Sequence, residues 1–196
     1  LKEHCKKNKV QSAGISDTSN LCGALEFSEN LAKVGCQPII GTQIVFNYKS
    51  NFGLIPIIAK NELGYQNIIE LSSNSYLFNT DLNLPNCNFD DLLNFKDDII
   101  VLSGSINGLI GKLFNNGKSI DVENIYKKLK TSFKNNFYIE IQRHGDQNEK
   151  SFELFNLMLS RKLEIPIIAS NEVYYLDKDM HDVHEALMCI GNKTYL

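Results

Sequence analysis

Four short stretches carry side chains that could do chemistry together: Ser16-Asp17-Thr18, Thr42-Gln43, Gln142-Arg143-His144 and Ser170-Asn171-Glu172. Each follows or ends a run of aliphatic residues. If those runs are parallel strands, the polar groups sit at carboxyl ends, where α/β folds collect ligand and catalytic residues. Asp17, His144 and Glu172 on one rim would supply the carboxylates and imidazole of a hydrolytic metal centre, in which a divalent ion lowers the pKa of bound water. The competing reading is that Asp17 and Asn171 cap the turn or helix that follows, and on the strand-end pattern alone capping is favoured.

Other motifs invite chemistry and fail on spacing. Ser103 to Leu113 is glycine-rich and contains Gly111-Lys112, but a phosphate loop needs Gly where Ile106 stands and Ser or Thr where Leu113 stands. A strand-to-helix turn is expected there. His181 and His184 share a helix face, yet no Glu stands as a zinc protease requires, so they read as a polar face with His184 partly buried. His4 and its neighbouring lysines read as a solvated helix surface.

The elements that must position these groups alternate between short apolar runs and amphipathic stretches, which predicts an α/β fold. Strands are expected over Ser12 to Ile15, Pro38 to Phe46, Pro56 to Ala59, Ile99 to Leu102, Phe137 to Ile141 and Pro166 to Ala169. Helices are expected over Asn20 to Lys33, Asp121 to Phe133 and Ser151 to Lys162. The first should bury Leu21, Ala24, Leu25, Leu31 and Ala32 and end near Gly35. The second should bury Val122, Ile125, Leu129 and Phe133, and the third Phe152, Phe155, Met158 and Leu159. Asn79 to Asn88, with Pro85, reads as a polar loop. No composition shift marks a second domain.

With 196 residues, 43% of them hydrophobic, the chain can bury a real core. A formal net charge of -3 gives no global positive field for a nucleic-acid backbone, so any DNA contact is local or made by another part of a larger protein. Five scattered cysteines without a Cys-x-x-Cys pair argue against a disulfide framework or structural zinc and fit a reducing cytoplasm. No apolar run approaches the roughly 20 residues of a membrane span. Residues 1 to 9 read as the later part of a helix, without a starting methionine or cap, so the chain is expected to be a fragment.

Six blocks, in order, carry a resemblance. They are Ser16 to Phe27, Pro38 to Gly41, Asn61 to Ile68, Ser103-Gly104 with Gly108 to Gly111, Tyr138 to Gly145, and Ala169 to Tyr175 with His184 to Leu187. Together they resemble the PHP domain of bacterial replicative DNA polymerase alpha subunits. The resemblance implies a distorted (β/α)7 barrel, lacking its first strand here, whose strand ends hold up to three metal ions in active members. It implies that Asp17 and His144 match the active ligand pattern. Thr18 stands where a histidine is expected, Gln43 where a glutamate is, Tyr174 where a histidine is, and Glu172 replaces an aspartate. Hydroxyls and amides do not replace anionic or imidazole donors, so no metal and no hydrolysis are expected.

The implied role is that of a scaffold: support for the polymerase core, a surface for the proofreading exonuclease subunit, and DNA reached only through the parent chain, with no membrane. The alternatives are an active phosphoesterase, an exonuclease or pyrophosphatase using manganese, zinc or magnesium with Asp17, His144 and Glu172, or a small-molecule PHP enzyme.

Overall fold

The computed structural model describes residues 1–78 and 84–195. Its strands are β1 (Ser12–Thr18), β2 (Gln37–Tyr48), β3 (Asn51–Ala59), β4 (Cys87–Asn88), β5 (Ile99–Leu102), β6 (Phe137–Ile141) and β7 (Ile167–Ala169). They form one sheet in the order β1-β2-β3-β5-β6-β7, with β4 paired to β2. Pairing is parallel for β1 with β2, β5 with β6 and β6 with β7, and antiparallel on both sides of β3. Among the described residues β1 and β7 have a strand partner on one side only.

The reversed strand is the main departure from strict strand–helix alternation. Lys49 and Ser50 both have positive φ, at 49° and 62°, the geometry of a two-residue hairpin turn that matches the twist of its strands. Asn51 Nδ2 donates to Tyr48 O (3.0 Å) and Lys49 O (2.8 Å) and fastens the turn. The strand pair therefore runs through residues 47 to 55, beyond the limits expected from sequence.

Among the described residues eight α-helices join and cover the strands: α1 (Lys2–Asn8), α2 (Ala24–Ala32), α3 (Glu62–Leu77), α4 (Phe89–Asn94), α5 (Leu109–Asn115), α6 (Ser119–Phe133), α7 (Glu149–Leu163) and α8 (His181–Asn192). α2 starts later than expected because the Asn20 side chain accepts from Cys22 N (2.9 Å) and holds a turn instead. Its end is as expected, with Gly35 at φ +73°. Leu25, Ala32 and Met158 are exceptions to the expected helix faces: all three are exposed, Leu25 at 71% and Met158 at 53%. Of the polar loop, residues 79 to 83 lie outside the described residues, while Cys87–Asn88 pairs in parallel with Phe46 and Asn47.

The main core lies between the convex face of the sheet and helices α3 to α7. Ile44, Phe46, Ile55, Ile57, Ile99, Val101, Phe137 and Ile139 pack there against Ile68, Leu71, Leu109, Leu113, Val122, Ile125, Leu129 and Phe152. Each fully buried side chain of this kind contributes about 1.5–3 kcal/mol. The Ser103–Leu113 segment is a strand-to-helix turn. A Cβ on Gly111 would lie 2.1 Å from Ile106 O, and one on Gly53 would lie 2.4 Å from Leu109 Cα, so these glycines serve close backbone packing.

Candidate functional site

Side chains alternate across a strand, and that rule assigns every polar rim residue to a face. Thr18 is directly opposite Gln43 in the β1–β2 register, whereas Asp17 is opposite Thr42. The concave face carries Gly14, Ser16, Ile39, Gln43, Pro56, Ile58, Leu102, Glu140 and Gln142, which line a cavity of about 360 Å³ with Ser170, Glu172 and Tyr174. Contributions from both ends of the sheet show that it curls. At the rim, Thr18, Gln43, His144, Asp146, Glu172 and Tyr174 line a second cavity of about 490 Å³.

The structure thus gathers Thr18, Gln43, His144, Glu172 and Tyr174, and leaves Asp17 out. Asp17 belongs to the convex face, with its Oδ2 3.1 Å from where a Gly23 Cβ would stand. Convergence of Asp17 with His144 and Glu172 is therefore not what the fold produces. Nor does Asp17 cap the helix that follows, whose cap position is Gly23; its backbone carbonyl accepts from buried Thr42 Oγ1 (2.7 Å), which also reaches Asn20 O (3.0 Å).

Beneath the rim runs a chain of hydrogen bonds whose inner member, Glu140, sequence reasoning did not single out. Ser170 Oγ donates to Glu140 Oε1. Gln142 Nε2 donates to the same oxygen (3.0 Å), and His144 Nε2 lies 3.2 Å from Gln142 Oε1. An amide oxygen only accepts, so His144 presents a protonated Nε2 to it. Glu140 is 5% exposed, and its Oε2 is buried without a partner. A signal existed in the sequence: a lone carboxylate inside an aliphatic strand, two positions before Gln142 and hence on the same face.

The loop bearing His144 is shaped by Glu149 in the first turn of α7. Its carboxylate accepts from His144 N (2.9 and 3.0 Å) and Gly145 N (2.8 Å), while Arg143 pairs with Glu153 (2.8 Å). The His144 amide foremost, with the Gly145 amide helping, holds Glu149 below the ordinary glutamate range. A lowered folded pKa contributes stability that is present above the unfolded value and lost as pH falls through the folded one. Amide exchange at His144 and Gly145 is thus expected to accelerate on acidification below the ordinary glutamate range. Glu149→Gln should remove that dependence; an unchanged acid profile in the variant would refute it.

The residues present do not fit a closed metal centre. Among the described residues, the only set of three His, Cys, Asp or Glu donors within 4.8 Å of one another is His181, Asp182 and Glu185, exposed on α8. At the rim, the Glu172 Oε2 accepts from the Tyr174 hydroxyl (2.7 Å). That bond, with burial adding to it, pushes the Tyr174 phenol up to about 12, so it stays protonated at neutral pH and is no anionic donor. Gln43 and Thr18 offer only neutral oxygens. His184 is half-buried and stacks on Tyr174, with ring centroids 5.2 Å apart, which accounts for it without a ligand role.

Comparison with known proteins decides the family, because the PHP domain model matches residues 1–144. The chain belongs to the PHP domain family. The similar curated proteins include DNA polymerase III subunit alpha of Rickettsia bellii, 35% identical over 93% of this chain and 16% of the relative. That of Caulobacter vibrioides is 31% identical over 96% and 17%, and that of Borreliella burgdorferi 32% identical over 95% and 17%. This PHP chain thus spans about one sixth of the length of the relatives it matches. A solved structure from Bifidobacterium adolescentis, described as a metal-dependent phosphoesterase of inferred function, aligns with a TM-score of 0.41 and 13% identity over 95% of this chain and 88% of that one. No helix among the described residues of this PHP chain is long and apolar enough to cross a membrane.

Proposed function

We propose that this PHP chain is a structural module of a DNA polymerase III alpha subunit, without a working metal centre, that supports the polymerase core and gives the proofreading exonuclease subunit a surface to bind. The observation that carries this reading is the rim donor set: Thr18, Gln43 and Tyr174 beside His144 and Glu172, with the Glu172 carboxylate already engaged by a protonated phenol. The charge of the cavities supports it as well. Glu140, Asp146 and Glu172 line them and no Lys or Arg does, so without a cation nothing there would hold a phosphodiester.

A module of this kind needs surface to offer, and the final helix has it. No residue of α8 is buried, and Val183, Leu187 and Ile190 share one exposed stripe at helical spacing. Val173 and Leu176, in the segment between β7 and α8, are exposed as well.

A scaffold and a phosphoesterase respond differently to loss of the rim. Thr18→Ala, His144→Ala and Glu172→Ala in the full-length subunit are expected to leave DNA synthesis and capture of the exonuclease subunit within about twofold of the parent, as exposed substitutions cost little stability. Primer extension and pull-down with the purified exonuclease subunit measure both. Loss of a hydrolytic activity in His144→Ala and Glu172→Ala, with synthesis intact, would sink the scaffold reading in favour of a phosphoesterase.

A further inference from the structure

The concave-face cavity has acidic groups that its own side chains do not match. Its volume is about 360 Å³, within the roughly 300–1,000 Å³ of small-molecule sites. Ile39, Pro56, Ile58 and Leu102 give it apolar walls, and among the described residues Glu140 and Glu172 are the only charged residue types that line it. Glu140 is 5% exposed on β6. Its Oε1 accepts from two neutral donors, Ser170 Oγ and Gln142 Nε2 (3.0 Å), and its Oε2 is buried without a partner. A buried carboxyl oxygen left unpaired costs the desolvation of the group, so a donor that reaches it is strongly favoured.

Room for such a donor is built into β1. Gly14 lines the cavity, its φ is not positive, and a Cβ there would meet nothing nearer than Ile39 O at 3.8 Å. Neither backbone conformation nor crowding calls for glycine at this position, in contrast to Gly53 and Gly111. Its effect is to keep the wall open.

We propose that this cavity binds a short aliphatic diamine as its dication. One ammonium meets the Glu140 carboxylate, the methylene chain lies against Ile39, Ile58 and Leu102, and the second ammonium lies toward Glu172, whose Oε2 already takes the Tyr174 hydroxyl (2.7 Å). Glu140 receives the ammonium by a turn of its carboxyl group, a torsion with a broad minimum. Two acids with apolar surface between strand ends match two cationic heads on a hydrocarbon chain. A bare inorganic cation would use the acids and leave the apolar walls unmatched, and a phosphate ester would meet like charge. The inference rests on the rim being free of metal, because a divalent ion there would compete for the same acids.

The test titrates the 196-residue chain with putrescine in amine-free buffer and follows the methyl resonances of Ile39, Ile58 and Leu102. Saturable shifts of these methyls, with cross-relaxation from the ligand's methylenes, are expected. Glu140→Gln keeps the size and an accepting oxygen and should weaken binding about tenfold or more. Gly14→Leu fills the cavity with both acids in place and should abolish binding, and butanediol, of the same length without charge, should not bind. If Glu140→Gln does not fold, Gly14→Leu and the diol decide. No methyl shifts with putrescine, equal binding of butanediol, or unchanged affinity in Gly14→Leu would each overturn the proposal. Elemental analysis of the same sample separates the two readings: failure to bind putrescine in a metal-free chain overturns this inference alone, whereas failure in a chain that retains manganese or zinc overturns the scaffold reading with it.

Discussion

Gly64→Ala is expected to destabilise the chain by about 3 kcal/mol or more, at the upper end of overpacking costs. A Cβ at Gly64 would stand 2.0 Å from Asp98 O and 2.9 Å from Asp98 C, against backbone on both counts. Neither side can give. The Asn61 side chain caps α3 by accepting from Gly64 N (3.0 Å) and donates to Asp98 Oδ1 (2.8 Å), and Lys60 N donates to Asp98 O (3.0 Å). Asp98 itself sits in the left-handed region at φ 59°, fixed by the turn that enters β5. Relief requires moving α3 off the sheet, where its Ile68 and Leu71 are fully buried. Since native domains are stable by only about 5–15 kcal/mol, the denaturant midpoint should fall sharply. A midpoint equal to that of the parent chain would show that α3 does not pack against Asp98 as described.

Phe137→Ala should be comparably damaging, costing about 3–5 kcal/mol through lost burial and the cavity left behind. Phe137 is fully buried at the start of β6, and its ring meets that of Tyr126 at 5.6 Å in an edge arrangement. The Tyr126 hydroxyl is itself committed to Asn156 Oδ1 (2.8 Å), so it cannot swing into the void without leaving a buried acceptor unpaired. Met158→Ala on α7 supplies the contrast, with an expected change within about 0.5 kcal/mol because that side chain points outward. Equilibrium unfolding of both variants tests the assignment of faces. Equal losses at the two positions would contradict it.

The convex face was legible in the sequence and the concave face was not, for a physical reason. Helix stripes such as Val122, Ile125, Leu129 and Phe133 obey a 3.6-residue period strong enough to predict burial, and all four are buried. The β2–β3 hairpin escaped because Lys49-Ser50 lacks the Asn-Gly signature of its turn, although both residues adopt the required positive φ. The rim residues could be listed from the ends of apolar runs, yet their convergence depends on strand parity. Thr18 and Gln43 meet because they are register partners, and Asp17, one residue earlier, faces away. Glu140 lay hidden inside a strand that otherwise reads as aliphatic, and only its pairing with Ser170 across β6 and β7 shows that it anchors Gln142 and, through it, His144.

Metal content decides between a scaffold and a hydrolytic centre at the rim of this PHP chain. The full-length protein carrying the chain would be incubated with manganese and zinc, desalted, and submitted to elemental analysis, with nuclease activity assayed on the same sample. For a scaffold, metal far below one equivalent and no hydrolysis are expected. Retention of one or more equivalents, lost together with hydrolysis in His144→Ala or Glu172→Ala, would contradict it.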